Sequence, residues 1–263
     1  MSLGARIEGV GLVGPGLTGW EAARGILTGR EPFVHRPTVL PVPEALPPTE
    51  RRRAGTCVRL SLAAGLAASA DAGREPRELV AIFASSTGDG ENLHAICEAL
   101  ASDDRLISPT RFHNSVHNAP VGYWSIATGA MLASDSIAAF DASFAAGLLE
   151  ALGRLEQDPA QPVLLVAYDA PYPEPLYATR PTADPFAVGL VLVAAGSGRG
   201  TPISATLSEG AAREMHSAEL ERMRLGTPAG RALPLLAQLA LAAPGVAHIE
   251  YLDGATIAVE VGR

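Results

Sequence analysis

The sequence predicts an α/β fold, with helices covering both faces of a sheet. Short, fully apolar segments recur at residues 79–84, 163–167 and 188–194, the length and composition of strands buried on both sides. They alternate with Ala/Leu-rich segments of helical character at 58–70, 142–155 and 233–241. At 263 residues, 48% hydrophobic and 18% charged, the chain is long enough to bury a substantial core.

In chain order, residues 7–12 read as the first strand and 20–27 as a short helix. A proline-rich connector at 37–48 leads into the helix at 58–70. After the strand at 79–84, residues 91–100 form a helix with Leu93, Ile96, Cys97 and Leu100 on one apolar face. Residues 108–120, which hold Pro109 and Pro120, are irregular, and a helix of small residues follows to Thr128. A short apolar strand at 136–140 turns into the helix at 142–155. Beyond the strand at 163–167, a Pro/Tyr-rich loop runs to Pro185 and the strand at 188–194. The stretch Gly196-Ser197-Gly198-Arg199-Gly200 offers a hinge between two subregions. A strand at 203–207, the helix at 233–241 and strands at 248–252 and 256–261 complete the chain. No internal repeat is present.

Composition excludes several functions. A net charge of −8 argues against nucleic acid as a partner, because phosphate binding needs a concentrated basic face. The one tight basic run, Arg51-Arg52-Arg53, reads either as a solvated helix start or as a docking patch for an acidic partner such as a carrier protein. Every basic residue is arginine. Without lysine there is no Schiff-base chemistry, no pyridoxal attachment and no phosphate-loop lysine. No apolar run reaches the roughly 18 residues of a membrane span, and the first residues lack the pattern of a secretory leader, so a cytoplasmic protein is expected. Cys57 and Cys97 have neither disulfide-framework nor zinc spacing, and both read as structural residues of apolar helix faces.

Four motifs invite chemistry. Gly9-Val10-Gly11-Leu12-Val13-Gly14 matches GxGxxG, but Pro15 and Gly16 follow where a dinucleotide site needs a helix, so the glycines read as close-packing positions. His113 and His117 are four apart, yet the surrounding prolines argue against the helix that would aim both at a metal, so no metal site is expected. Ser85-Ser86-Thr87-Gly88 follows a strand but lacks GxSxG. The most informative stretch is 136–148, a buried strand turning sharply into an apolar helix. Such an elbow places one side chain at a helix N-terminus, where backbone N–H groups stabilise an anion. Asp141 and Ser143 are the candidates there, and either could equally be a helix cap.

Several of these segments together resemble the β-ketoacyl synthases. Residues 7–16 with Trp20-Glu21-Ala22 and Leu27-Thr28-Gly29-Arg30 look like that family's first strand, Gly/Pro turn and following helix. Ser108-Pro109 and residues 118–129 look like the segment beside its acyl pocket. Ser136-Ile137-Ala138 resembles the strand entering the nucleophile elbow, residues 163–167 the strand after the elbow helix, and Arg180-Pro181 with residues 188–192 a further family strand. Within the superfamily, residues 112–118 and 143–151 are most similar to the short chain-length-factor proteins of aryl polyene clusters.

The resemblance implies a thiolase-type layered fold in a single domain, 1–263, with a complete first half (1–195) and a shortened second half (196–263). It also implies no cofactor. The family carries cysteine at the elbow. Aligned forwards from Ser136, that position falls on Asp141; aligned backwards from the strand at 163, it falls on Ser143. The family's two catalytic histidines come from its second half, where this chain has only His216 and His248. The resemblance with these departures implies a non-condensing subunit that pairs with an active β-ketoacyl synthase and meets acyl carrier protein only indirectly. Pairing is expected through the strand at 136–140. Phe112, His113, His117, Tyr123, Trp124 and Phe140 are the expected residues of the acyl tunnel or subunit interface. An acyl-thioester hydrolase or decarboxylase using Ser143, and a stand-alone carrier-protein-binding module, are the alternatives.

Overall fold

The computed structural model describes residues 2–252 and 254–262. Strands β1 (Ser2–Gly14) and β2 (Leu17–Thr18) form a hairpin around Gly16, whose φ of +67° suits glycine. After α1 (Trp20–Leu27), the proline-rich connector ends in α2 (Pro48–Arg53), which proline initiates. Helix α3 (Thr56–Ala72) is closed by Gly73 in left-handed backbone. Strand β3 (Val80–Ala84) leads to α4 (Gly90–Ala101), which the Asp89 side chain caps by accepting from the Asn92 N–H. Short helices α5 (Pro109–His113) and α6 (Ala119–Thr128) precede β4 (Ser134–Ile137) and α7 (Ser143–Gln157). Next come β5 (Val163–Asp169), α8 (Leu176–Thr179), β6 (Phe186–Ala194) and β7 (Thr201–Glu209). Helix α9 (Ala218–Gly226), a 3₁₀ turn (Pro228–Ala232), α10 (Leu233–Leu241), β8 (Gly245–Glu250) and β9 (Ala255–Val261) complete the fold.

One sheet runs in the order β4-β3-β5-β6-β1-β7-β9-β8. Strands β4, β3 and β5 are parallel, and every later pairing is antiparallel. Strand β1 joins the two halves: it pairs with β6 over residues 5–13 and with β7 over residues 2–7. Residues 196–200 are therefore a connection between two strands that flank β1, and β7, β8 and β9 extend the same sheet.

Apolar cores lie on both faces, as the continuous apolar strands require. On one face, Leu60 and Leu62 of α3 and Trp124 of α6 pack over Phe83, Leu164 and Val166. On the other, Phe144 and Leu148 of α7 and Leu236 of α10 pack over Leu165, Leu190 and Ile257. The glycines of the GxGxxG match let α3 lie directly on the sheet. A Cβ on Gly9 or Gly11 would collide with the α3 backbone at Ala68 or Ala64, and one on Gly189 would lie 2.5 Å from the Ala64 carbonyl.

Four local expectations are corrected. The strand before the elbow covers 134–137, and residues 138–142 form the turn. On α4 the buried residues are Gly90, Asn92 and Ile96, whereas Leu93, Cys97 and Leu100 are exposed because no element among the described residues covers that side of the helix. Residues 109–113 are helical rather than irregular. Helix α9 was not expected, since its charged sequence lacks apolar periodicity; the available signal was its cap, the Ser217 side chain accepting from the Leu220 N–H.

Candidate functional site at the strand-to-helix elbow

The elbow between β4 and α7 is held by its own backbone and by Ser143. The Ser143 hydroxyl donates to the Phe140 carbonyl at 2.7 Å and accepts from the Ala139 N–H at 3.0 Å, with the residue 1% exposed. Its one proton is committed to a carbonyl, and both partners are backbone groups of the turn. Ser143 thus braces the turn; it is the first residue of α7, whose N-terminus has no side-chain cap, and nothing activates it as a nucleophile among the described residues. Ser143→Ala is expected to cost about 1–2 kcal/mol of stability through the loosened turn, read as a lower urea midpoint.

Asp141 points into a chain of alternating charges. Its carboxylate meets Nη2 of Arg180 at 2.7 Å and Nη2 of Arg231 at 3.7 Å. Arg180 Nη2 also donates to the Ser86 hydroxyl at 2.7 Å, and its guanidinium carbon lies 3.5 Å from the centre of the Phe140 ring. Arg231 and Arg224 both reach Glu250, at 2.7 and 3.0 Å, and Arg224 forks onto Glu221 at 2.6 and 2.9 Å. The hydrogen bonds from Arg224 hold the Glu221 carboxyl below the usual range, and Glu221 in turn raises Arg224. Geometry is poorer at Arg231, whose Nη1 lies close to Glu250 without an aligned hydrogen bond. Such pairs offset the desolvation of their charges more than they add stability.

Asp169, at the end of β5, is a node that sequence reasoning missed. It is fully buried; Oδ1 accepts from the Ser85 and Thr87 hydroxyls and from the Ser86 and Thr87 N–H groups, and Oδ2 accepts from the Ala229 N–H. It ties the β3–α4 loop to the 3₁₀ turn of the second half. Burial pushes its carboxyl up to about 6, against the pull of the hydrogen bonds. The only sequence signal was an acidic residue closing an otherwise apolar strand.

The remaining candidates divide. Tyr123 and Trp124 are buried in the chain's own core: the Tyr123 hydroxyl donates to Asn114 Oδ1 at 3.1 Å, and Trp124 packs 6.0 Å from Phe83. Phe112, His113, His117 and Phe140 are exposed. The two histidines have different neighbours, His113 meeting the Tyr123 ring edge-on at 6.4 Å and His117 lying 3.4 Å from the Ile137 carbonyl. His216 and His248 share a separate cleft of about 240 Å³ with Leu27, Pro234 and Gln238, and that cleft includes no residue of the elbow network. Cys57 is buried and donates to the Gly88 carbonyl at 3.1 Å; burial raises its thiol well above the ordinary value, so it stays protonated.

Strand β4 ends the sheet, and its outer edge has no partner among the described residues. Just before it in the chain Met131 is 92% exposed and Leu132 is exposed, as is Phe140 just past its end. An open strand edge rimmed by apolar side chains is the pattern of a covered interface.

Comparison with known proteins places this geometry. A chain of the complex of the ketosynthase ApeO with its chain length factor ApeC, from Xenorhabdus doucetiae, is similar with a TM-score of 0.74 and 25% identity, over 98% of this chain and 99% of that one. A chain of the ishigamide ketosynthase/chain length factor shares the fold at a TM-score of 0.73 and 13% identity, over 98% and 99%. A β-ketoacyl synthase from Burkholderia phymatum STM815 does so at 0.59 and 15%, over 87% of this chain and 71% of that one. These likenesses agree with the expected thiolase-type α/β fold. No curated protein sequence matches the chain. The family described as β-ketoacyl synthase, N-terminal domain, matches residues 29–239. That match takes in the elbow, α7 and the strands on either side of it, and the chain therefore belongs to the β-ketoacyl synthase family.

Proposed function

We propose that this chain is a non-condensing, chain-length-factor-like subunit, which pairs with an active β-ketoacyl synthase and shapes that enzyme's acyl tunnel in aryl polyene or related fatty acid/polyketide-type biosynthesis. The elbow carries the reading. Condensation needs a thiolate to accept the acyl chain, and here the turn offers a carboxylate engaged by Arg180 and a serine locked to the backbone. A carboxylate at that place repels the enolate that must attack.

The open β4 edge and its apolar rim support pairing, since a strand of a like fold can extend the sheet across it. Similarity over nearly the whole length to a chain of a ketosynthase–chain length factor complex supports the same partner class. In this reading Phe112, His113, His117 and Phe140 face the partner, while Tyr123 and Trp124 back that wall from inside. The chain acts as one domain in the cytoplasm, meets acyl carrier protein through its partner, and needs no cofactor. No helix among the described residues is long and apolar enough to cross a membrane.

The test is to express the chain alone and together with an active β-ketoacyl synthase from the same genome. Co-purification as a one-to-one pair and a change in product length are expected. A stable monomer that leaves product length unchanged overturns the reading.

A further inference from the structure

Phe140 is a bulky residue at φ +52°, in backbone space that favours glycine. Strain of this kind persists only where the surroundings fix it. Here they do. The Phe140 carbonyl accepts from both the N–H and the hydroxyl of Ser143, at 3.2 and 2.7 Å. The ring lies against the Arg180 guanidinium, which Asp141 and Ser86 each hold at 2.7 Å. For all this bracing the ring is 67% exposed, just past the end of the open edge strand. A strained phenyl left two-thirds exposed contributes little to the stability of the isolated chain, because a glycine would relieve the strain and little apolar area is buried.

We propose that Arg180 and Asp141 make the elbow into a latch that presents the Phe140 ring as a rigid stop for an apolar acyl chain growing in the partner's tunnel. The inference rests on the proposed pairing with a ketosynthase. Phe140 is the group the chain end meets, and its flat face and edge suit a conjugated or saturated hydrocarbon terminus. Arg180 is a positioning residue: its Nη2 donates to both Asp141 and Ser86 while the flat guanidinium lies against the ring, a contact that a lysine ammonium cannot reproduce.

The experiment reconstitutes the full chain with the active ketosynthase and malonyl-loaded acyl carrier protein. Pairing is read by size-exclusion chromatography and product length by mass spectrometry. Phe140→Ala is expected to leave the pair intact and lengthen the main product by at least one two-carbon unit. Arg180→Met, which leaves the ring but frees it, is expected to broaden the length distribution, and Arg180→Lys to restore it only in part. Unchanged lengths for Phe140→Ala in an intact pair overturn the stop, and an unchanged distribution for Arg180→Met overturns the latch. Should Phe140→Ala separate the subunits, Phe140→Leu is read by the same criterion. A wild-type chain that forms no pair overturns the functional reading itself, and the stop with it.

Discussion

Replacing Asp169 with alanine is expected to lower the unfolding free energy by about 4 kcal/mol, a large part of the stability of an ordinary domain. The carboxylate accepts from three backbone N–H groups and two hydroxyls in a fully buried site. The hydroxyls can turn to other acceptors, but the N–H groups of Ser86, Thr87 and Ala229 are fixed by the fold and would be left without partners. Asp169→Asn keeps the volume but turns an NH₂ group towards donors, so it is also destabilising. The two proteins should differ in pH dependence. The folded state holds the Asp169 carboxyl at about 6 against an ordinary 3.8, so it binds the proton more tightly than the unfolded chain does. That contribution, about 3 kcal/mol, is fully present below pH 3.8, declines as the pH rises, and is gone above about pH 6. Urea midpoints at pH 4.5, 5.5 and 7 should therefore show wild type furthest above Asp169→Asn at the lowest pH. A gap that widens towards neutral pH would refute burial as the dominant influence on this carboxyl.

In the proposed pairing with a ketosynthase, Ser136→Pro is expected to weaken association by at least about 100-fold, some 3 kcal/mol, while the chain itself stays folded. The carbonyls of Ala133 and Ile137 accept from the N–H groups of Ala81 and Ser85. In a parallel ladder this turns the odd-numbered backbone groups of β4 towards β3, and the N–H and C=O of Ser134 and Ser136 outwards. Proline at 136 removes an outward donor and adds a ring at the edge, a position where edge strands tolerate it. The Ser136 hydroxyl has no partner within the subunit, so its loss costs little. Sedimentation of the mixed subunits and a thermal midpoint of the variant alone check the two halves of the expectation. Undiminished affinity would remove β4 from the interface.

Much of the fold was legible because its signals are local. The apolar strands β3, β5 and β6 were visible as runs, and α1 and α10 matched the expected ranges. The elbow stood out because a strand pattern changes to a helical one within a few residues. Helix α9 was missed where charge hides periodicity, and the exposed side of α4 was misjudged because an apolar stripe does not reveal whether anything covers it.

By itself the sequence determined the α/β architecture, the family resemblance and the absence of cysteine from the elbow, since each depends on residue types in consecutive positions. Tertiary structure alone decided that Asp141 is ion-paired with Arg180, and that Asp169 ties residues 84 positions before it to residues 60 positions after it. Contacts between side chains so far apart depend on which strand ends the sheet brings together, and that adjacency leaves no period or spacing in the chain.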